Sequence, residues 1–169
     1  MKARQITIKN DYIYGQGNPP YSCLRIGKWG NGKAHGCGPF AVYNALLVLR
    51  DTKNPVRIIR HIKDARGFVF GGYFGTKPKA MMKYIQACGY KAQIFYLPFD
   101  IERRIKDADV SILQYIWRRK FKIGIHYITV RYQDGEYFVY NQYSNDIKPR
   151  RYLRIKGRFT VLGLIRVWK

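Results

Sequence analysis

Apolar and polar positions change rhythm midway along the chain, and that change predicts the architecture. Phe40-Ala41-Val42-Tyr43-Asn44-Ala45-Leu46-Leu47-Val48-Leu49 is apolar on nearly every helical face. A helix of this kind is buried all round, so a central buried helix is expected over 38–50. Two further helices carry their own punctuation. Asn54 precedes Pro55-Val56-Arg57-Ile58-Ile59-Arg60-His61-Ile62 and serves as a cap, with proline at the first helical position, where its missing N–H does no harm. Thr76 is expected to cap Lys77-Pro78-Lys79-Ala80-Met81-Met82-Lys83-Tyr84-Ile85 in the same way, with Gly89 ending that helix in a left-handed turn.

A strand is expected at 91–96 and a short charged helix at 100–107. From there the apolar period falls to two. Residues 111–117 read as one strand, 123–132 and 136–142 as a hairpin around Gln133-Asp134-Gly135, and 159–168 as a last strand. The run Arg118-Arg119-Lys120-Phe121-Lys122 reads as a solvated loop between two strands. Helices first and an antiparallel sheet second is the order of an α+β fold. One domain is expected over 1–169: an irregular Gly/Pro/Tyr-rich arm through residue 30, with a short strand at 5–9, and then the helices and sheet.

Composition adds a large charge to this picture. The 169 residues carry 32 Lys+Arg against 10 Asp+Glu, a formal charge of +22. With 47% apolar residues the chain has ample core, so wholesale disorder is excluded. The charge attracts polyanions or an acidic protein. Glu102 and Glu136 are the only glutamates, which argues against chemistry that needs clustered carboxylates. Cys23, Cys37 and Cys88 are an odd number and make no disulfide framework. No Cys-x-x-Cys or His-x-x-x-His pairing is present, so neither a metal nor another cofactor is expected. The positively charged start has no apolar run behind it and no membrane-length apolar stretch follows. The expectation is a cytoplasmic protein or an exported piece of a larger bacterial one.

Candidate chemistry gathers at Asn31-Gly32-Lys33-Ala34-His35-Gly36-Cys37-Gly38-Pro39-Phe40. A cysteine here stands where a glycine-rich loop becomes a buried helix. Main-chain N–H groups at a helix start favour the thiolate, so Cys37 is expected to ionise below about 8.5. Gly36 and Gly38 leave room for a substrate backbone. A nucleophile needs a base, and His126 opens the first hairpin strand while Asn141 ends the second, so the hairpin returns one beside the other. An Asn there can hold one imidazole nitrogen while the other faces the thiol. Asn145 and Asp146 are rivals to Asn141. His35 is too near Cys37 in a tight turn to be its base and is expected to line the cleft.

These phrases together resemble papain-like cysteine peptidases of the C39-like group. The resemblance rests on Gly36-Cys37-Gly38-Pro39, Gly75-Thr76-Lys77-Pro78, Ala87-Cys88-Gly89-Tyr90, His126-Tyr127-Ile128-Thr129-Val130 and Asp134-Gly135 with Val139-Tyr140-Asn141, in the family's order. It implies a papain-like fold with a buried central helix packed on a C-terminal antiparallel sheet. It further implies Cys37 as nucleophile, His126 as base and Asn141 as orienter in a peptidase or related amide hydrolase, deamidase or transamidase. The family places a glutamine that donates to the oxyanion six residues before the cysteine. Asn31 stands there instead, one methylene shorter, and Gln16 from the N-terminal arm is the alternative donor.

Other features lie outside the family pattern. Residues 148–158 hold Lys148, Arg150, Arg151, Arg154, Lys156 and Arg158 with no acid among them. They open a second reading, a non-catalytic papain-like module that binds nucleic acid or an anionic cell-surface polymer through Arg150, Arg151 and Arg154. In the enzyme reading the partner is a peptide or protein substrate. The charge also suits a bacterial toxin or effector domain, for which an acidic immunity or inhibitor protein is expected.

Overall fold

The computed structural model describes residues 11–97, 99–119, 122–143, 145–151 and 159–169. The strand expected at 5–9 and the cation Arg154 lie outside them. The arm leads through one 3₁₀ turn, Tyr21–Cys23, into a small hairpin of β1 (Arg25–Ile26) and β2 (Gly30–Asn31). The helices α1 (Gly32–His35), α2 (Cys37–Val48), α3 (Pro55–Asp64) and α4 (Pro78–Ala87) follow. Next come β3 (Lys91–Tyr96), α5 (Ile101–Lys106), β4 (Val110–Arg119), β5 (Lys122–Gln133), β6 (Glu136–Tyr140) and β7 (Phe159–Trp168). The fold is α+β, as the change of period predicts.

Five strands form one antiparallel sheet in the order β3-β7-β4-β5-β6. Alternation along each strand sorts the core into two layers. Val110, Ile112, Tyr127, Ile165 and Val167 join the core beneath α2, α3 and α4. Leu113, Tyr115, Ile128, Val130 and Leu164 form a second cluster with Ile105 of α5. The hairpin between β5 and β6 turns at Asp134 and Gly135, both at positive φ (52° and 83°), as a two-residue turn of the primed type requires. β4 and β5 stay paired as far as Arg119 and Lys122, further than the expected loop allows.

Local signals place α2 and α3 well. Asn54 accepts from the Val56 N–H at 2.8 Å and Pro55 opens α3. At α4 the expected cap is displaced by one residue. Lys77 precedes the helix without a side-chain cap, while Thr76 is buried and its hydroxyl has no partner among the described residues. Tertiary packing explains the shift: Gly38 lies so close that a Cβ there would meet the Thr76 side chain at 2.6 Å.

The arm is less irregular than its composition suggests. Asn44, fully buried in the middle of α2, accepts from the Ile13 N–H and donates to the Ile13 carbonyl, both at 2.8 Å. The one polar side chain in an otherwise apolar segment thus stands in for a neighbouring strand. The Tyr43 hydroxyl donates to the Asp11 carbonyl at 3.0 Å, and the Tyr12 ring stacks on Tyr140 of β6 with 4.6 Å between centroids.

Candidate active site

Cys37 is the first residue of α2 and only 5% exposed. Its neighbours leave the turn no freedom. A Cβ at Gly36 would meet the Phe40 ring at 2.3 Å and the Gly32 carbonyl at 2.6 Å. The room that these glycines provide is therefore filled by the protein's own packing.

β6 pairs with β5 only from Thr129 onward. Past that point the edge of β5 is open to the start of α2, and the Tyr127 N–H donates to the Cys37 sulfur. The thiol thus lies against the peptide that joins His126 to Tyr127. The Tyr127 side chain crosses to the helical layer, where its hydroxyl donates to the Thr76 carbonyl at 2.8 Å.

The half-buried His126 ring brings Nε2 to 2.6 Å from the Asn141 main-chain carbonyl. Since a carbonyl only accepts, Nε2 carries the proton and Nδ1 is the free base. The Tyr115 ring, paired with His126 across β4 and β5, meets the imidazole edge-on at 5.7 Å. No hydrogen bond joins thiol and imidazole directly among the described residues. Such bonds are commonly long before substrate arrives.

Asn141 is where expected, but with its atoms differently employed. Its backbone is left-handed (φ 60°), which aims the carbonyl rather than the side chain at His126. The side-chain oxygen accepts from the Gln16 N–H at 2.9 Å, and the side-chain nitrogen donates to Gln16 Oε1 at 3.0 Å. Gln16 Nε2 in turn donates to the Lys33 carbonyl at 2.7 Å, in α1, the short helix that leads to Cys37.

Buried at 3% exposure, Gln16 therefore ties both halves of the site together. Asn31 is exposed and its side-chain oxygen accepts from the Ala34 N–H at 2.9 Å, capping α1. Of the two candidate donors, the one from the arm is at the site. The phrase Tyr14-Gly15-Gln16-Gly17 was its only sequence signal, because Gln16 stands 21 residues before Cys37 rather than six.

His35 is half-buried; its Nδ1 accepts from the Asn31 N–H at 3.2 Å and its ring lies 5.5 Å from Tyr73. Asp146, the rival to Asn141, accepts from the Tyr143 N–H at 3.0 Å and pairs with Arg150 at 3.0 Å.

The thiol ionises differently from the sequence expectation. Burial pushes the Cys37 thiol up, outweighing the N–H groups of Tyr127, Gly38 and Cys37 itself, which pull it down. Burial pushes His126 down, against smaller upward effects of the Asn141 carbonyl and the Asp146 charge. Both shifts favour the neutral thiol–imidazole pair over the thiolate–imidazolium pair. The helix start helps the thiolate, but desolvation is the larger effect.

All three cysteines are free thiols. Among the described residues no group of three or more His, Cys, Asp or Glu is placed to hold a metal ion. No helix among them is long and apolar enough to cross a membrane. Of the cations singled out for polyanion binding, Arg150 is paired with Asp146 and lies over the Tyr143 ring at 4.4 Å, while Arg151 is 3.9 Å from Glu136.

A helix that starts at a cysteine is laid against a five-stranded antiparallel sheet bearing a histidine, an α+β arrangement consistent with a papain-like, C39-like fold. Among solved structures, the peptidase domain of Streptococcus ComA, a bi-functional ABC transporter involved in a quorum-sensing pathway, matches with a TM-score of 0.52. The match covers 78% of this chain and 90% of that one at 15% identity, so the likeness is one of fold. No protein-family model and no curated protein matches the sequence.

Proposed function

We propose that this chain is a cysteine-dependent amide hydrolase that acts on a peptide or protein substrate. The observation that carries the reading is the thiol of Cys37 lying against the His126–Tyr127 peptide while Nε2 of His126 is held by Asn141. His126 Nδ1 takes the thiol proton as Sγ attacks the amide carbonyl carbon. Because the resting pair is neutral, proton transfer accompanies attack rather than preceding it.

The C–S bond forms and the carbonyl oxygen becomes an oxyanion. The Cys37 N–H and the second hydrogen of Gln16 Nε2 are its donors. Collapse breaks the C–N bond, and the imidazolium returns its proton to the leaving amine. His126 then activates water to hydrolyse the thioester. Asn141 holds the imidazole through its main-chain carbonyl, and its side chain locks that carbonyl in place through Gln16.

The likeness to the ComA peptidase domain supports a peptidase as the first reading; deamidation and transamidation use the same thioester chemistry. A toxin or effector role and an acidic inhibitor rest on the charge balance alone. The test is cleavage of a mixed peptide library read by mass spectrometry. Cleavage by the intact protein, abolished in Cys37→Ala with circular dichroism unchanged, supports the reading. Cleavage that survives the substitution overturns it.

A further inference from the structure

We propose that an exposed aromatic platform beside the site, built on two interlocked glycine-rich loops, docks the protein on an anionic lipid bilayer. The platform consists of Trp29, Phe70, Tyr73 and Phe74, which are 64%, 72%, 61% and 64% exposed. Phe70 and Tyr73 each meet Phe74 edge-on at 5.3 Å, and the Trp29 ring lies over Gly71, next to Phe70 in the chain. A contiguous exposed apolar patch of this kind marks an interaction surface.

The loops are held in place before any partner arrives. The N–H groups of Lys28 and Trp29 both donate to the Gly71 carbonyl, at 2.7 and 3.1 Å. The Trp29 ring covers Gly71 so closely that a Cβ there would lie 2.8 Å from it, and a Cβ at Gly27 would lie 2.3 Å from the Gly71 carbonyl oxygen. The ends of the second loop are pinned by the bridge between Phe68 and Thr76. A platform fixed in this way loses little conformational freedom on docking.

Charge selects the partner. Neither 12–50 nor 65–99, the stretches that contain the two loops, has a single Asp or Glu. Exposed Arg25, Lys28, Lys33, Arg66 and Lys77 lie in or next to the loops, and the Lys28 ammonium sits 4.9 Å from the Trp29 ring centre. Aromatic side chains settle at the headgroup level of a bilayer, and flanking cations attract anionic lipid. Stable attachment needs both signals, and both are here.

The rings stand out from the surface, which suits a deformable interface rather than a matched protein groove. The platform adjoins the site through Tyr73 and His35, two residues before Cys37. Docking therefore holds the site at the membrane surface. This inference does not depend on the enzymatic reading.

The test is co-sedimentation of the full chain with vesicles of phosphatidylcholine alone or mixed three to one with phosphatidylglycerol. The expected result is binding to the anionic vesicles only. The triple variant Trp29→Ser, Phe70→Ser, Phe74→Ser is expected to lower partitioning by roughly a hundredfold, while Ile123→Ser, an exposed apolar residue of β5, leaves it unchanged.

A second measurement needs no triple variant: brominated acyl chains quench tryptophan emission in the intact protein, and Trp29→Phe removes that quenching. Absence of binding overturns the proposal, as does equal binding to uncharged vesicles. Undiminished binding by the triple variant also overturns it, and assigns the effect to charge alone, as for any polyanion.

Discussion

Cys37, against the Tyr127 N–H, and His126, against the Asn141 carbonyl, are fixed by opposite means. The cysteine is held mainly by residues close in sequence, Gly36 packed against Phe40 and the first turn of α2 itself, with Thr76 against Gly38 from further along the chain. The histidine is held from far along the chain, through Asn141 and then through Gln16, which is 125 residues from Asn141. The thiol side is therefore a local device and the imidazole side a long-range one. On the proposed reading, the orientation of the base rests chiefly on the docked N-terminal arm, whereas the nucleophile is placed chiefly by its own turn, which the arm touches only at Lys33.

That contrast can be broken most forcefully at Asn44. Asn44→Leu leaves the buried N–H and carbonyl of Ile13 without partners and releases the arm. A stability loss of about 2–5 kcal/mol is expected in urea unfolding, with the base impaired in the surviving native fraction. A loss near zero means that the arm is anchored elsewhere.

On the thiol side, Gly38→Ala drives a methyl group into Thr76 and Met81. The expected cost is about 1–3 kcal/mol, read as a lowered Tm, with the arm still docked. A neutral substitution means that Thr76 gives way and the turn is looser than its packing implies.

Gln16→Ala and Asn31→Ala sharpen the comparison as a pair. Loss of Gln16 removes the clamp on Asn141 and a donor to the oxyanion, so hydrolysis is expected to fall by about 10²–10³. Loss of Asn31 removes a helix cap, about 1 kcal/mol of stability, with turnover per folded molecule unchanged. The reverse pattern returns the donor role to Asn31.

The smallest effect is on stability against pH. A folded His126 pushed below 6.5 makes protonation favour the unfolded chain, so stability falls as pH drops through 6.5. A folded Cys37 pushed above 9.0 makes ionisation favour the unfolded chain, so stability also falls as pH rises past 9.0. The contribution of the pair is greatest between those values, and Tm measured across pH in wild type and His126→Gln isolates the acidic limb.

Sequence legibility follows the same local and long-range division. The helix at Cys37, the Asn54 cap and the Asp134-Gly135 turn are written in neighbouring residues and could be read directly. The strand 159–168 was equally clear, since its period needs no partner to be seen. Thr76 was misassigned as a cap because packing against Gly38 outweighs its capping preference. The thiol's ionisation was misjudged for a related reason, since a helix start is visible in sequence and the depth of its burial is not. Asn141 was found from hairpin return. Which of its atoms faces His126 depends on a left-handed backbone and on Gln16, and neither leaves a pattern within the hairpin.

The most direct test of the central claim, that Cys37 and His126 act as one unit, is the rate of Cys37 alkylation by a small electrophile between pH 5 and 10, followed by peptide mapping. The predicted result is selective modification of Cys37 in the intact protein near neutral pH, and in His126→Ala a much slower reaction that rises only with thiol ionisation at alkaline pH. Identical rate profiles for the two proteins, or equal labelling of Cys23, Cys37 and Cys88, would contradict it.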